Sequence, residues 1–288
     1  LTINGKLDRK ALPEPEFVSQ EGYIAPRNEL ESKVCAIWAE VLGLPTDKVG
    51  IRDDFFRLGG DSIVSIQLTS RLRQRLELQV SIKDVFTYKT VERLFDSVIS
   101  KDVVNKVVTR TEQGILSGDV GLLPIQQWFF DRNLAVKNHW NQSFMVKTPG
   151  LSVNKLKVSV EKLIEQHDNF RLKYKQEDGK YKQYYDRVAK IEELKILDVR
   201  SLNAKEGSKA FTKELDKILT EWQSSFDIEQ RPLYTIGYIY DYQDGSSRIY
   251  FALHHLIIDA VSWRILVEDL RDLYNGKELG SKGSSYRQ

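Results

Sequence analysis

The spacing of apolar residues divides the chain into a helical first part and a mixed second part. In residues 28–42, Leu, Val, Ile and Trp side chains recur three or four positions apart, which places them on one face of a helix. The same spacing predicts three further helices, over 62–76, 81–86 and 90–100. We therefore expect residues 26–101 to form an all-α four-helix bundle.

After residue 118 the pattern changes to helices that alternate with strands. Residues 153–167 have a helical period. Three segments look extended, namely 142–146, 233–240 and 247–253. Asp244-Gly245 lies between the last two and predicts a hairpin turn. Residues 119–288 are thus predicted to form an α/β unit, with the polar stretch 102–118 as a linker before it.

Bulk composition narrows the function classes. The 288 residues carry 43 Lys and Arg against 41 Asp and Glu, a net charge of +2, so no surface for nucleic acid or a membrane is indicated. The chain has no signal-peptide pattern and no apolar run of about 18 residues, which favours a cytoplasmic protein. Four histidines and one cysteine, Cys35, show no zinc spacing and allow no internal disulfide, so we expect no metal.

The first stretch with candidate chemistry is Leu58-Gly59-Gly60-Asp61-Ser62. Two glycines free the backbone, and Asp61 is a good N-cap for the helix that follows. Ser62 then stands at the start of a helix, where the N-terminal dipole favours a phosphate. No histidine lies near it in sequence to act as a base, so the pattern favours covalent attachment over catalysis. An ordinary loop with a serine beside a helix cap is the alternative that these residues leave open.

Together with the upstream DDFFRL, this stretch resembles the phosphopantetheine attachment site of peptidyl carrier domains in nonribosomal peptide synthetases. The resemblance implies 4'-phosphopantetheine attached to Ser62, with Gly59, Gly60 and Asp61 forming the attachment loop. It also implies a phosphopantetheinyl transferase as the partner that adds the group. Most carriers have a histidine before the serine. Asp61 is similar to the variant found in carriers that stand directly before an epimerization domain.

The first ten residues carry a second resemblance. LTINGKLDRK is similar to the last signature motif of adenylation domains, whose lysine contacts the acyl-adenylate, and this likeness implies that role for Lys6. Residues 1–15 are thus predicted as the C-terminal tail of an adenylation domain, and residues 16–25 as a linker. A basic hairpin tail with its turn at Asn4-Gly5 is the alternative. The segment lacks a start methionine, and we expect it to be cut from a longer protein.

The second candidate chemistry follows the last predicted strand, at His254-His255 and Asp259. On a continuing strand two adjacent histidines point in opposite directions, so only one needs to face a cleft. Asp259 could orient a ring, pair with an arginine or cap the helix that begins after it. A purely structural alternative makes His254 a packed core residue and Asp259 a helix cap.

This stretch resembles the H-H-x-x-x-D motif of condensation and epimerization domains, which belong to the same synthetases and share a chloramphenicol-acetyltransferase-like fold. HHLIIDAVSWRIL, with Ser262 and Trp263, is similar to the epimerization form, whereas condensation domains usually have glycine at the position of Ala260. Residues 123–130 and 139–143 resemble epimerization motifs that come earlier in the chain. Weaker matches, shared with condensation domains, are residues 167–171 and residues 226–228 with 232–233, where Arg231 replaces the usual glycine.

The resemblance implies proton transfer at the α-carbon of an aminoacyl thioester. Sulfur donates poorly into the carbonyl, so this proton is more acidic than that of an amide. Inversion requires its removal from one face and its return from the other. By likeness His255 is the acid/base on one face, with His254, Asp259, Ser262 and Trp263 as supporting residues. Asp259 is expected to orient or to stabilise rather than to carry a proton.

The implied organisation is a carrier domain followed by the N-terminal lobe of an epimerization domain. In the family the opposite-face partner is a glutamate of the C-terminal lobe. We expect that lobe to be absent from this chain, with residues 280–285 as a linker toward it, so residues 1–288 alone should not epimerise. The implied partners are an adjoining adenylation domain, a downstream condensation domain and the aminoacyl thioester.

Two other functions stay open. A condensation domain would use the same histidine in amide-bond formation. A carrier joined to an inactive scaffold would bind partner domains without catalysis. Residues 123–130, Asp61, Ala260, Ser262 and Trp263 favour epimerization over condensation.

Overall fold

The computed structural model describes residues 23–100, 111–132, 134–187, 191–230 and 232–288. The chain separates into two compact units. Residues 23–100 form the helical unit, and residues 111–288 form the α/β unit. The adenylation-like residues 1–15 with Lys6 lie outside the described residues, and so does Arg231. Most of the predicted linkers 16–25 and 102–118 lie outside them as well.

Helices follow one another through the helical unit, as the apolar spacing predicted. Within residues 23–100 they are α1 (Glu29–Leu42), α2 (Ser62–Leu76), α3 (Ile82–Tyr88) and α4 (Val91–Leu94), which continues as a π-helical turn over Phe95–Ile99. A single 3-10 turn lies at Thr46–Lys48. Each α-helix begins after a polar residue whose side chain accepts a backbone N–H of the first turn, and these caps are Asn28, Asp61, Ser81 and Thr90.

The core of the helical unit holds the loop that leads to Ser62. Trp38 on α1 and Phe55 in this loop have no exposed surface, and their ring centroids lie 5.0 Å apart in an edge-to-face contact. Leu68 and Leu72 on α2 are fully buried in the same core. Burial of each such side chain contributes about 1.5–3 kcal/mol. Helix α2 and the loop before it are therefore fixed by one core.

The α/β unit contains both strands and helices within its described residues, and the predicted fold class is confirmed. Its strands are β1 (Gly118–Val120), β2 (Asn141–Pro149), β3 (Leu172–Glu177), β4 (Lys180–Tyr185), β5 (Lys195–Asp198), β6 (Tyr234–Tyr240) and β7 (Ser246–His254). Its α-helices are α5 (Pro124–Asp131), α6 (Val153–Gln166), α7 (Lys209–Gln223) and α8 (Ser262–Tyr274). Single 3-10 turns lie at Lys137–His139, Asp168–Arg171 and Val199–Ser201.

The described strands form two sheets. One has the order β1-β4-β3, and the other has the order β2-β7-β6-β5. In the second sheet β2 runs antiparallel to β7 with Gln142 opposite Leu253, and β6 and β7 form the hairpin predicted around Asp244-Gly245. Strand β5 pairs in parallel with β6, and α7 lies in the connection between them. Strand β2 therefore lies at an edge of this sheet, and β7 lies inside it.

Helices cover both faces of the sheet around β7. On one face Trp263 of α8 packs on Phe251, with ring centroids 6.5 Å apart. On the other face Trp222 of α7 packs on Tyr250, with ring centroids 6.0 Å apart. A Cβ atom at Gly237 would lie 2.3 Å from the Trp222 ring, so this close packing requires glycine. Strand β7 is consequently buried on both sides up to its last residue.

Two polar segments predicted as linkers pack against the α/β unit. We predicted a linker over 102–118, but its residues 111–118 lie in this unit, where Leu116 is buried and its N–H donates to Asp168 Oδ1 at 3.1 Å. In the segment 280–285, Lys282 Nζ lies 2.8 Å from Asp168 Oδ2. The side chain of Leu116 and the ammonium group of Lys282 thus attach these two polar segments to the α/β unit.

Candidate functional site

Ser62 is the first residue of α2, and its side chain is exposed. Asp61 caps this helix, because its Oδ1 accepts the N–H of Val64 at 2.8 Å. The carbonyl oxygen of Asp61 also accepts the N–H and the hydroxyl of Ser65, at 2.9 Å and 2.7 Å. These bonds fix the first turn, so the hydroxyl of Ser62 stands at a well-defined helix start in contact with solvent.

Gly59 and Gly60 let the chain turn closely around Phe55. Gly59 has a φ of 97°, which residues with a side chain rarely adopt. The N–H of Gly60 donates to the carbonyl oxygen of Phe55 at 2.9 Å, and a Cβ atom at Gly60 would lie 2.5 Å from the Phe55 ring. Because Phe55 is buried, these contacts tie the loop to the core. An exposed hydroxyl on such a loop, at the N-terminus of a 15-residue helix, fits a phosphodiester link to phosphopantetheine.

His254 is the buried member of the histidine pair. Its ring has no exposed surface and lies edge-on to Phe129, with ring centroids 5.6 Å apart. Its Nδ1 accepts the N–H of Leu256 at 3.1 Å, so the hydrogen of the neutral ring is on Nε2, which donates to the Lys137 carbonyl oxygen at 2.8 Å. Burial lowers the pKa of His254 from 6.5 to about 4. This ring is therefore a neutral, structural part of the core.

His255 lies on the opposite side and is exposed. Its backbone N–H donates to the Trp140 carbonyl oxygen at 2.8 Å, which extends the β2–β7 pairing past His254. Its Nδ1 lies 2.8 Å from the carbonyl oxygen of Ile258. A carbonyl oxygen can only accept, so Nδ1 carries the hydrogen and Nε2 of the neutral ring has a free electron pair. The backbone thus presents His255 as a base through Nε2.

Gln142 of β2 is the neighbour of that nitrogen. Its side-chain nitrogen lies 3.3 Å from His255 Nε2, and its Oε1 accepts the indole N–H of Trp263 at 2.8 Å. Trp263 is held in turn by an edge-to-face contact with Phe144, with ring centroids 4.6 Å apart. The structure therefore brings together His255 and Trp263, which the sequence singled out, through a glutamine to which it assigned no role.

Asp259 and Ser262 form the start of α8. Asp259 Oδ1 accepts the N–H groups of Val261 and Ser262, at 3.1 Å and 2.8 Å, and the hydroxyl of Ser262 at 2.7 Å. The carboxylate is thus engaged with the helix start. Of the three roles considered for Asp259, its contacts fit the one at the helix start, although the N-cap position itself is occupied by Val261, which has no side-chain cap. These bonds fix the turn before α8 and hence the position of Trp263.

An open cavity of about 840 Å³ lies beside the Gln142–Trp263 contact. It is lined by Phe144 of β2 and, along α8, by Val267 and Arg271, among others. His255 is not part of the lining, and the cavity reaches it through Gln142, which lines the cavity and contacts the His255 ring. Among the residues that the structure describes, no three His, Cys, Asp or Glu side chains are grouped as metal ligands. Over the same residues, no helix combines the length and apolar character needed to cross a membrane.

The position of Gln142 beside His255 follows from the register between strands β2 and β7. Residues directly opposite on an antiparallel pair point to the same side, and Gln142 is opposite Leu253. His255 follows two positions later on that side, which makes it the diagonal neighbour of Gln142. The segment 139–143 was recognised in the sequence, but its pairing with β7 was not predicted.

Two family models match the chain. The model described as "Condensation domain" covers residues 116–288, and the model described as "Phosphopantetheine attachment site" covers residues 32–98. These ranges fall within the α/β unit and the helical unit, respectively.

Curated proteins and a solved structure resemble the same two units. N-(5-amino-5-carboxypentanoyl)-L-cysteinyl-D-valine synthase of Penicillium rubens is 42% identical over 291 residues, covering 100% of this chain and 8% of that protein. Gramicidin S synthase 1 of Brevibacillus brevis is 39% identical over 279 residues, covering 95% of this chain and 24% of that protein. The epimerization domain from the third module of tyrocidine synthetase B is 33% identical, with a TM-score of 0.54 over 62% of this chain and 40% of its own. The chain thus spans less than a quarter of the length of either curated relative.

Proposed function

This chain belongs to the condensation-domain family of nonribosomal peptide synthetases, and we propose that its α/β unit is the first part of an epimerization domain. The observation that carries the proposal is the exposed side chain of His255, whose Nε2 is kept available as a base by the bond from Nδ1 to Ile258. The 33% identity with a solved epimerization domain supports it. The relative from Penicillium rubens, whose product name contains D-valine, supports it further.

The helical unit is a carrier domain with covalently attached 4'-phosphopantetheine. That group supplies a flexible thiol on which an amino acid is held as a thioester. We place the attachment at Ser62, because its exposed hydroxyl stands at the helix start that Asp61, Gly59 and Gly60 define. The phosphopantetheinyl transferase, the adjoining adenylation domain to which Lys6 would belong, and a downstream condensation domain are the partners that this function requires.

In the proposed reaction His255 Nε2 takes the α-proton from one face of the thioester substrate. The ring already carries a hydrogen on Nδ1, so proton uptake at Nε2 gives an imidazolium whose Nδ1–H remains bonded to Ile258. A positioned acid/base of this kind contributes about 10²–10⁴ in rate. Return of a proton to the opposite face completes the inversion. His254 takes no part, since its two ring nitrogens are committed to backbone groups.

Condensation is the second candidate, because the family model that matches residues 116–288 is described as a condensation domain. There the same ring nitrogen would accept a proton from an attacking amine. The two functions differ in their product: one inverts Cα of a single carrier-bound amino acid, and the other joins two acyl groups through an amide.

The test uses the full-length protein, incubated with amino acids and ATP and then quenched. The bound acyl group is released by hydrolysis, and its D:L ratio and its length are measured. We expect the D-amino acid to accumulate in the wild type and to be absent in His255→Ala. A peptide that forms with its configuration unchanged would assign the unit to condensation instead.

A further inference from the structure

We propose that Gln142 is a further catalytic residue, whose side-chain amide donates a hydrogen bond to the thioester carbonyl oxygen as negative charge develops there. The inference rests on the proposed epimerization and names the group that stabilises its intermediate. Removal of an α-proton moves charge onto the adjacent carbonyl oxygen, and a fixed donor at that point accelerates the reaction. Gln142 is such a donor, beside the nitrogen that removes the proton.

The orientation of the Gln142 amide is determined by Trp263. The indole N–H can only donate, and it lies 2.8 Å from Gln142 Oε1. The opposite orientation would bring the amide nitrogen against the indole nitrogen, two donors with no acceptor between them. The amide NH₂ group is therefore directed toward His255, where it lies 3.3 Å from Nε2.

The spacing of the two groups matches the spacing of the two atoms on which they would act. From standard bond lengths, Cα and the carbonyl oxygen of a thioester are about 2.4 Å apart. A base contacts the reacting carbon at about 3–3.5 Å, and an oxyanion donor contacts its oxygen at about 2.7–3.1 Å. His255 Nε2 and the Gln142 nitrogen, 3.3 Å apart, are close enough to contact this pair of atoms together.

The hydrogen bond between Gln142 and His255 can be replaced by a hydrogen bond to the substrate when the substrate enters. At 3.3 Å it is longer than the usual hydrogen bond of about 2.9–3.0 Å. Entry of a thioester from the adjoining cavity would give the amide a carbonyl oxygen in place of the ring nitrogen, and would leave Nε2 free for the proton. Trp263 would hold the amide throughout.

The experiment measures α-proton exchange in the full-length protein, as deuterium gained from D₂O by the carrier-bound amino acid. Gln142→Glu keeps the size and the acceptor for Trp263 but lacks the NH₂ donor, and Gln142→Leu lacks both polar groups. We expect each variant to lose about 10²–10³-fold in exchange rate, with phosphopantetheine loading and melting temperature near wild type. The matched control is Gln127→Leu, an exposed amide on α5 that bonds Asp131, and it should exchange normally.

A second measurement needs no catalysis. In ¹⁵N-glutamine-labelled chain without loaded phosphopantetheine, S-acetylpantetheine should shift the Gln142 side-chain amide signal, identified by its absence in Gln142→Glu. The Gln127 signal should stay in place. An unshifted Gln142 signal at high thioester concentration overturns the proposal. This result is obtained on the chain with Gln142 in place, so it does not depend on whether the variants fold.

The outcomes separate this inference from the function on which it rests. Normal exchange in Gln142→Glu together with lost exchange in His255→Ala refutes the role of Gln142 and leaves epimerization standing. Normal exchange in His255→Ala refutes the proposed function itself. Loss in both variants, with an amide signal that responds to the thioester, supports both.

Discussion

His254 and His255 are consecutive residues in opposite surroundings: the ring of His254 has no exposed surface, and the ring of His255 is exposed. A strand directs successive side chains to opposite faces, and His255 is the first residue after the end of β7, so the two rings have different neighbours. His254 bonds the backbone through both ring nitrogens, whereas His255 does so through Nδ1. One histidine therefore supports the fold and the other is left for chemistry.

Alanine substitutions should separate these two roles. His254→Ala leaves the Lys137 carbonyl oxygen and the Leu256 N–H without their ring partners and opens a cavity, so we expect a loss of about 2–4 kcal/mol in the free energy of unfolding. His255→Ala should change that free energy little while reducing epimerization by about 10²–10⁴. Urea unfolding and the D:L assay measure the two effects. Equal destabilisation by both substitutions would contradict the assignment.

The stability of the α/β unit should fall with acid because of His254. Its pKa is about 4 in the folded chain against an ordinary 6.5, so below pH 6.5 the unfolded chain binds a proton that the folded chain does not. Stability is therefore lost as the pH falls from 6.5 toward 4, by about 3 kcal/mol in total.

The control for this acid sensitivity is His254→Asn, which offers a donor and an acceptor but does not titrate. Its stability should decline less than that of the wild type over the same pH range, as followed by urea unfolding with tryptophan fluorescence. Trp128, Trp140, Trp222 and Trp263, four of the five tryptophans, report on this unit. Parallel pH profiles for the two proteins would show that His254 is not the cause.

Ser62 should be the sole attachment point for phosphopantetheine. Incubated with coenzyme A and a phosphopantetheinyl transferase, the wild type should gain the mass of one arm, because the exposed hydroxyl of Ser62 stands at a defined helix start. Ser62→Ala should gain none, and Ser65→Ala should still be modified, since Ser65 is buried one turn later. The added mass is measured by intact mass spectrometry. A Ser62→Ala protein that still gains the phosphopantetheine mass would contradict attachment at Ser62.

The close contact at Gly237 should make alanine costly there. A Cβ atom would meet the Trp222 ring at 2.3 Å, so either the ring or β6 must move, at a cost of about 1–3 kcal/mol. Gly150→Ala is the matched control, because a Cβ atom there would have no neighbour within 4 Å. Trp222→Leu should recover part of the loss in Gly237→Ala. Equal melting temperatures for the two glycine variants would argue against the packing described for α7.

Residues 1–288 by themselves should not invert a loaded amino acid. They cover 40% of the solved epimerization domain, and a single acid/base acts on one face of Cα. We expect α-deuterium exchange with the L configuration retained when an L-aminoacyl arm is followed over time. Accumulation of the D form above a boiled control would place the second acid/base within these residues.

Locally encoded features were predictable from the sequence. The start of α2 depends on Asp61 and its bond to Val64, three residues away, so the motif alone located it. The fold class followed from apolar spacing, because the period of burial is set by the geometry of helices and strands. The hairpin between β6 and β7 likewise follows from its own turn residues.

Features that depend on distant contacts were not predictable in this way. The position of Gln142 beside His255 requires the register of β2 against β7, and these strands are about a hundred residues apart in sequence. The same holds for Leu116 and Lys282, which both bind Asp168 from segments that look like linkers. In each case one tertiary contact outweighs the average polarity of its segment.

The proposed base and its proposed partner differ in mechanical freedom. His255 directly follows an interior strand that is packed on both faces, whereas Gln142 lies on β2, whose outer edge has no neighbouring strand among the described residues. Backbone amides along β7 should therefore resist hydrogen exchange far longer than those at the outer edge of β2. The backbone that carries the proposed donor is therefore less restrained than the backbone that carries the base, and the bond from Trp263 to Oε1 is what keeps the Gln142 amide in place. A segment that adds to the edge of β2 would thus act on the position of Gln142 without contacting the histidine.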